Sequence, residues 1–297
     1  AGPLAFQGGL AAEKVLTHFD REGKALGTIG EAALYSFVRL SSDDRYLAAG
    51  VDDDDGGQSD IWIFDLSRNV GSRLTFDDAR DTHPVWSPDG KRVAFTSNRG
   101  GKSGIYVRSA DGQGDAEPLL VVDDQCQLED WSSDGKYLTF DAGIGKNDLW
   151  ILNLEDGESS ALVKSEFDVG YARFSPDGNW IGYISNEAGK YELYLTRFPS
   201  GEGKWQLSKD GADLLLGWND AGTELFYLDL EGNLCSVKVA FGDQVVADLP
   251  TMLFPTNAGS TWDNKSDGNG FVLGVPNDSE EEFAITLIVN WGGSPGR

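Results

Sequence analysis

Short apolar runs separated by polar turns fill the chain, and nowhere do apolar residues keep the 3.6-residue spacing of an amphipathic helix. The runs recur in a fixed order. One is nearly continuous, as in "RVAFTS", "YLTFDA", "WIGYIS" and "ELFYLD", the pattern of a strand packed on both faces. A polar loop follows, then a run in which aromatic residues alternate with others: "DIWIFDL", "GIYVRSA", "DLWILNL", "ELYLTRF", "NLCSVKV". A shorter, weaker run closes each set: "SRLTF", "EPLLVV", "SALVK", "KWQLS", "TMLF".

Each set is introduced by a turn tag. The copies are "LSSDDRYLAA" at Ser41, "WSPDGKRVAF" at Ser87, "WSSDGKYLTF" at Ser132, "FSPDGNWIGY" at Ser175, "WNDAGTELFY" at Asn219 and a worn "NKSDGNGFVL" at Lys265. The intervals are 46, 45, 43, 44 and 46 residues, the length of one four-stranded propeller blade. Asp-Gly reverses the chain, with Gly accepting positive φ. The residue before the tag (Trp86, Trp131, Phe174, Trp218) ends the innermost strand and can wedge between neighbouring sheets. The expected fold is all-β: a β-propeller of four-stranded blades, one domain over 1–297, with repeats starting near 37, 83, 128, 171, 215 and 261.

Six tags argue for six blades, with seven as the alternative. Ahead of the first tag, "PLAFQGG", "KVLTHFDREGK" and "ALGTIG" read as second, third and outermost strands; after the last, "GFVLGV" and "FAITLIVNW" read as second and third strands. Pairing N-terminal with C-terminal strands removes the exposed sheet edge. Residues 1–30 are therefore expected to supply the closure, with "ALGTIG" as the closing strand and about the first 25 residues as surplus.

The tags resemble the TolB or PD40 propeller repeat, a WD40-like unit of bacterial envelope proteins, firmly over 37–240. The stretches "LTHFDREGKALGTIGE", "SDIWIFDLSRNVGSRLTFD", "ARFSPDGNWIGYISNEAGKYELYLTRFP" and "FAITLIVNW" further resemble the C-terminal propellers of bacterial membrane-anchored serine/threonine kinases. That resemblance implies a bacterial, extracytoplasmic sensor or interaction module cut from a longer array, and it supplies no catalytic residues. The start at Ala1, with Met252 the only Met, fits a processed or excised piece.

Charge narrows the partners. With 49 acidic and 24 basic residues the net charge is −25, which argues against nucleic acid and favours cationic partners or metal ions. It also suits a monomer that resists self-association. No apolar run reaches membrane-spanning length. Cys126 and Cys235 lie in no metal-spaced pair.

Few motifs carry chemistry. "GGSPG" at 292–296 has the spacing of a nucleophile elbow without its strand-to-helix turn, and "GGKSG" at 100–104 lacks the first glycine of a P-loop. Two histidines, His18 and His83, cannot make a three-histidine metal site. His83 falls just ahead of an innermost strand, where it either meets a ligand or bonds a neighbouring loop. Asp52, Asp53, Asp54 and Asp55 form the densest acidic run, joined on the same ring face by Asp77, Asp78, Asp123 and Asp124. The run fails the EF-hand pattern but could hold calcium or magnesium; a solvated loop is the other reading.

One residue before the aromatic of each innermost strand stand Arg39, Val85, Asp130, Arg173 and Gly217. Pointing inward, they give the channel mixed polarity; alternatively they pair with one another and hold the ring closed. The ligand-binding candidates at the channel face are Arg39, His83, Glu129, Asp130, Arg173 and Trp218. Two functions remain open: a non-catalytic module that binds a protein, peptide or small ligand without a cofactor, and a hydrolase or lyase using Asp130, His83, Glu129 and a divalent ion.

Overall fold

A computed structural model of the chain describes residues 13–53, 57–143, 147–242, 244–256 and 261–277. The segments "PLAFQGG", "FAITLIVNW" and "GGSPG", and Asp54 and Asp55, lie outside the described residues. Six antiparallel sheets stand around a central axis, and among the described residues the one helical element is a 3₁₀ turn at Arg99–Gly101. Blade 1 runs Tyr35–Leu40, Tyr46–Asp52, Ser59–Asp65, Val70–Arg73 from axis to rim. Blades 2 to 4 repeat this with innermost strands Asp81–Trp86, Cys126–Trp131 and Val169–Phe174. In blade 5 the innermost strand is Leu214–Trp218, and two short strands, Val246–Ala247 and Thr251–Pro255, share the rim edge of Asn233–Ala240.

Blade 6 closes the ring. Its inner strands, Trp262–Asn264 and Gly270–Pro276, come from the far end of the sequence; its outer strands, Lys14–Asp20 and Ala25–Ala33, come from the near end. Lys14–Asp20 pairs residue for residue with Gly270–Pro276. The first 25 residues are thus not all surplus: "KVLTHFD" occupies the third place in the blade, and "ALGTIG" lies in the outermost strand as expected. Lys14 adds a lock, its ammonium donating to Tyr35 O at 3.1 Å and Thr261 Oγ1 at 2.6 Å.

The core is distributed as the nearly continuous runs require. Six apolar clusters lie one between each pair of neighbouring blades, including blades 6 and 1, where Leu16 and Val272 meet Leu47 and Phe64. The second strand Trp180–Ser185 is buried at every position because both faces meet a neighbour. Burying this surface is the main stabilising term. Cys126 and Cys235 are buried free thiols.

The tags repeat one small circuit. In Ser41, Ser87, Ser132 and Ser175 the hydroxyl donates to the Asp two residues on, at 2.5–2.7 Å. The same oxygen accepts the backbone N–H five residues on, at 2.9–3.0 Å. Each turn is closed by its own side chains. Asn219 Oδ1 replaces the hydroxyl in blade 5, accepting from the Thr223 and Glu224 amides.

Candidate functional site: a plugged channel with two mouths

Every innermost strand runs from the face where the chain crosses between blades to the face that carries the tag turns. Before reaching the tag, five of the six break register with the second strand, around Phe37, His83–Pro84, Glu129, Tyr171–Ala172 and Leu216. Such bulges re-aim side chains. In three blades the residue four before the tag serine sits in the left-handed region without being glycine: Phe37 (φ 36°), His83 (φ 52°) and Tyr171 (φ 53°). Backbone of this kind persists only where its surroundings impose it, and it gathers at binding and switch sites.

Across the middle, the channel is plugged. Arg39 of blade 1 and Arg173 of blade 4, from opposite sides of the ring, donate to the same carbonyl, Glu129 O, at 2.7 and 2.8 Å. Arg173 also reaches Leu216 O at 2.9 Å and the Glu129 carboxylate at 3.5 Å, tying blades 3, 4 and 5. Arg39 faces Asp263 at 3.6 Å. Asp263 accepts the Leu40 amide and Asp130 the Phe174 amide, each across a blade boundary. Burial, the Arg39 charge next, lowers Arg173 to about 10, and burial raises Glu129, Asp130 and Asp263 against the pull of the guanidiniums. The inward residues give the channel mixed polarity, but the ion pairs they make are with other residues, Arg39 with Asp263 and Arg173 with Glu129, while Asp130 accepts the Phe174 amide.

Trp218 is buried between blades 4 and 5, its indole N–H donating to Arg173 O at 3.3 Å. His83 lies inside its innermost strand rather than ahead of it, stacked on Phe37 with ring centroids 3.6 Å apart. Its imidazole is pushed down to about 3, by burial first and then by the charges of Arg39, Arg173 and Arg80, so it is neutral. Of the aspartate candidates, Asp52 pairs with Arg80 at 3.4 Å, Asp53 caps its own loop through the Gly57 and Gln58 amides, and Asp77 and Asp78 are exposed. Among the described residues no group of three or more His, Cys, Asp or Glu is arranged to hold a metal ion.

The plug leaves a mouth on each side. On the tag face a cavity of about 240 Å³ is lined by Asp44, Asp130, Asp220, Asp263, Asn264 and the two arginines among others. On the crossover face a groove of about 610 Å³ runs over blades 2 and 3 between Phe37, His83, Lys102 and Asp123. Phe37 and His83 also line a pocket of about 20 Å³ set against the plug, with Arg39, Glu129, Tyr171 and Trp262. Phe37, Tyr171, Trp262 and Asp263 were not candidates from the sequence. Their signal lay in position, two to four residues before each tag.

Comparison with known proteins agrees with this ring. Residues 37–143 match the family model PD40, TolB beta propeller domain, and the six blades make the chain a β-propeller. A solved structure assigned as TolB from Agrobacterium tumefaciens superposes with a TM-score of 0.70 at 17% identity, covering 89% of this chain and 98% of that one. The uncharacterized peptidase YuxL of Bacillus subtilis is 25% identical over 170 residues, 44% of this chain and 26% of that protein. A TolB homolog of Chlorobium luteolum is 26% identical over 133 residues, 44% of this chain and 30% of that protein. The chain therefore spans about a quarter to a third of these two relatives' length.

Proposed function

We propose that the chain is a non-catalytic binding and sensing module that takes a peptide or protein segment at the crossover mouth. The observation that carries this reading is the set Phe37, His83 and Tyr171, held in left-handed backbone at equivalent positions around one pocket. Three such residues cost about 1–3 kcal/mol each, and nothing in ring assembly calls for them, since the innermost strands of blades 3 and 5 bulge without one. The net charge of −25 draws cationic segments to the rim. The TolB-type fold and the segments resembling kinase-linked propellers support an extracytoplasmic sensing setting.

Affinity selection from a soluble pool of randomised heptapeptides tests the reading, with the protein and its Phe37→Gly variant side by side. Glycine relieves the backbone but deletes the ring that stacks on His83. Retention by the native chain, reduced about tenfold or more in the variant, is expected. No retention, or equal retention by both, defeats the reading.

A further inference from the structure

The pocket against the plug has a polarity of its own. Its lining holds two buried polar side-chain atoms without a hydrogen-bond partner among the described residues, Arg39 Nε and Trp262 Nε1. Both are donors. Trp262 is 4% exposed and its indole Nε1 is buried, so a partner for it has to come through this pocket. A buried donor left unmade costs more than a formed bond returns, so two of them facing one void call for a partner there, a water, an ion or a ligand group. The remaining Arg39 nitrogens already face Glu129 O and Asp263, which leaves Nε as the donor in reserve. Two guanidiniums and one carboxylate, Glu129, line the space, and the neutral His83 adds no acid. A void of about 20 Å³ exceeds the roughly 10–15 Å³ that one water needs, enough for the tip of a carboxylate whose remainder lies in the groove. The tag mouth, which Arg39 also lines, differs in holding an unpartnered buried acceptor, Asn264 Oδ1, and, among the described residues, no tryptophan donor of this kind.

We infer that the crossover mouth ends in a carboxylate-binding pocket, in which Arg39 Nε–H and Trp262 Nε1–H donate to the oxygens of one carboxylate that enters beside the Phe37–His83 stack. The inference rests on the binding reading above and narrows it: the ligand presents an anionic tip although the protein is acidic. A peptide C-terminus and a small free carboxylate share this chemistry. Charge-assisted bonds from a desolvated guanidinium and indole give the tip a preference of about tenfold or more over its amide.

The test follows the Trp262 indole ¹H–¹⁵N resonance, assigned with Trp262→Phe, while sodium formate, acetamide or methylammonium chloride is titrated into the native chain at constant ionic strength. Formate should move this resonance downfield and saturably, and the two other probes should not. In parallel, a free-acid heptapeptide pool is selected against the same pool carrying C-terminal amides. Free-acid preference, lost in Arg39→Lys, which keeps the charge but not the Nε–H, assigns the pocket to a peptide C-terminus. A formate shift without that preference assigns it to a small carboxylate. A still Trp262 resonance with equal retention of both pools overturns the carboxylate pocket while leaving the binding reading intact. A still resonance with neither pool retained overturns both, and a shift with methylammonium alone overturns the pocket's polarity.

Discussion

The two faces of the ring are built from the same strands and differ in how they treat the repeat. On the tag face four of the six turns close by the same Ser–Asp circuit, and neighbouring turns are tied together: Ser42 and Ser133 donate to Pro88 O and Pro176 O, and Ser266 to Asp44. On the crossover face the copies diverge. Equivalent positions hold Phe37, His83, Leu128, Tyr171 and Leu215, three of them in strained backbone. Stability needs only that each blade pack on the next, which sameness serves. Recognition needs a surface that differs around the ring, and the difference is concentrated at the crossover mouth, where the repeat departs from itself.

The largest effect separates the plug from both faces. Arg173→Ala should lower unfolding stability by about 3–5 kcal/mol, because it leaves the Glu129 carboxylate buried without its cation. Urea denaturation measures this, and Arg173→Ala combined with Glu129→Gln should recover part of the loss. A double variant no more stable than the single one would mean that the guanidinium matters for its carbonyl bonds to Leu216 and Glu129 rather than for its charge. A smaller effect belongs to the tag face. Ser132→Ala removes one acceptor and one donor from a turn that keeps its Asp and Gly, and should cost about 1 kcal/mol. Peptide retention at the crossover mouth should be untouched. Altered retention in that variant would break the separation of the two faces.

How much of this could be read beforehand follows the range of the interactions. The tags were legible because each turn is closed by side chains within about six residues, Ser and Asp in four copies and Asn219 in a fifth, so six copies meant six blades. Strand Lys14–Asp20 was legible as a third strand but counted as surplus, because the ladder that places it, to Gly270–Pro276, joins residues about 250 apart. Within the channel, Arg39, Asp130 and Arg173 were found by equivalence to one another, and Asp263 was missed since the sixth tag is worn. Phe37 and Tyr171 were missed for a different reason. They align with His83, four residues before a tag serine, yet a bulge leaves no trace in an alternation of apolar and polar residues, and an aromatic in a strand reads as core.

Acid titration sets the two faces against each other with the smallest signal. Asp43, Asp89, Asp134 and Asp177, in the tag turns, are held below the ordinary carboxylate range by their serine and backbone donors, which outweigh what burial they have. The unfolded chain binds more protons than these turns do near pH 4, so their contribution is present above that pH and is lost as pH falls toward their folded values. Asp141, on the crossover side, behaves oppositely. It is buried, and its carboxylate and that of Glu129 flank Gly170, where a Cβ would lie 3.1 and 3.8 Å from their oxygens. Burial first, then the charges of Glu129 and Asp168, raise its carboxyl well above the ordinary range. The folded chain here holds the extra proton, so this contribution is complete below about pH 4 and is lost as pH rises through the folded value. On acidification from neutral pH the melting temperature should first climb and then fall. Asp141→Asn should raise it by about 1–3 °C at pH 7 and shrink the climb without moving the fall; Glu129, Asp130 and Asp263, also raised, keep part of it. A native protein whose melting temperature only declines below pH 7, or a variant that shifts the acid limb instead, would show that the tag carboxylates alone govern the pH response and that the crossover face carries no proton of its own.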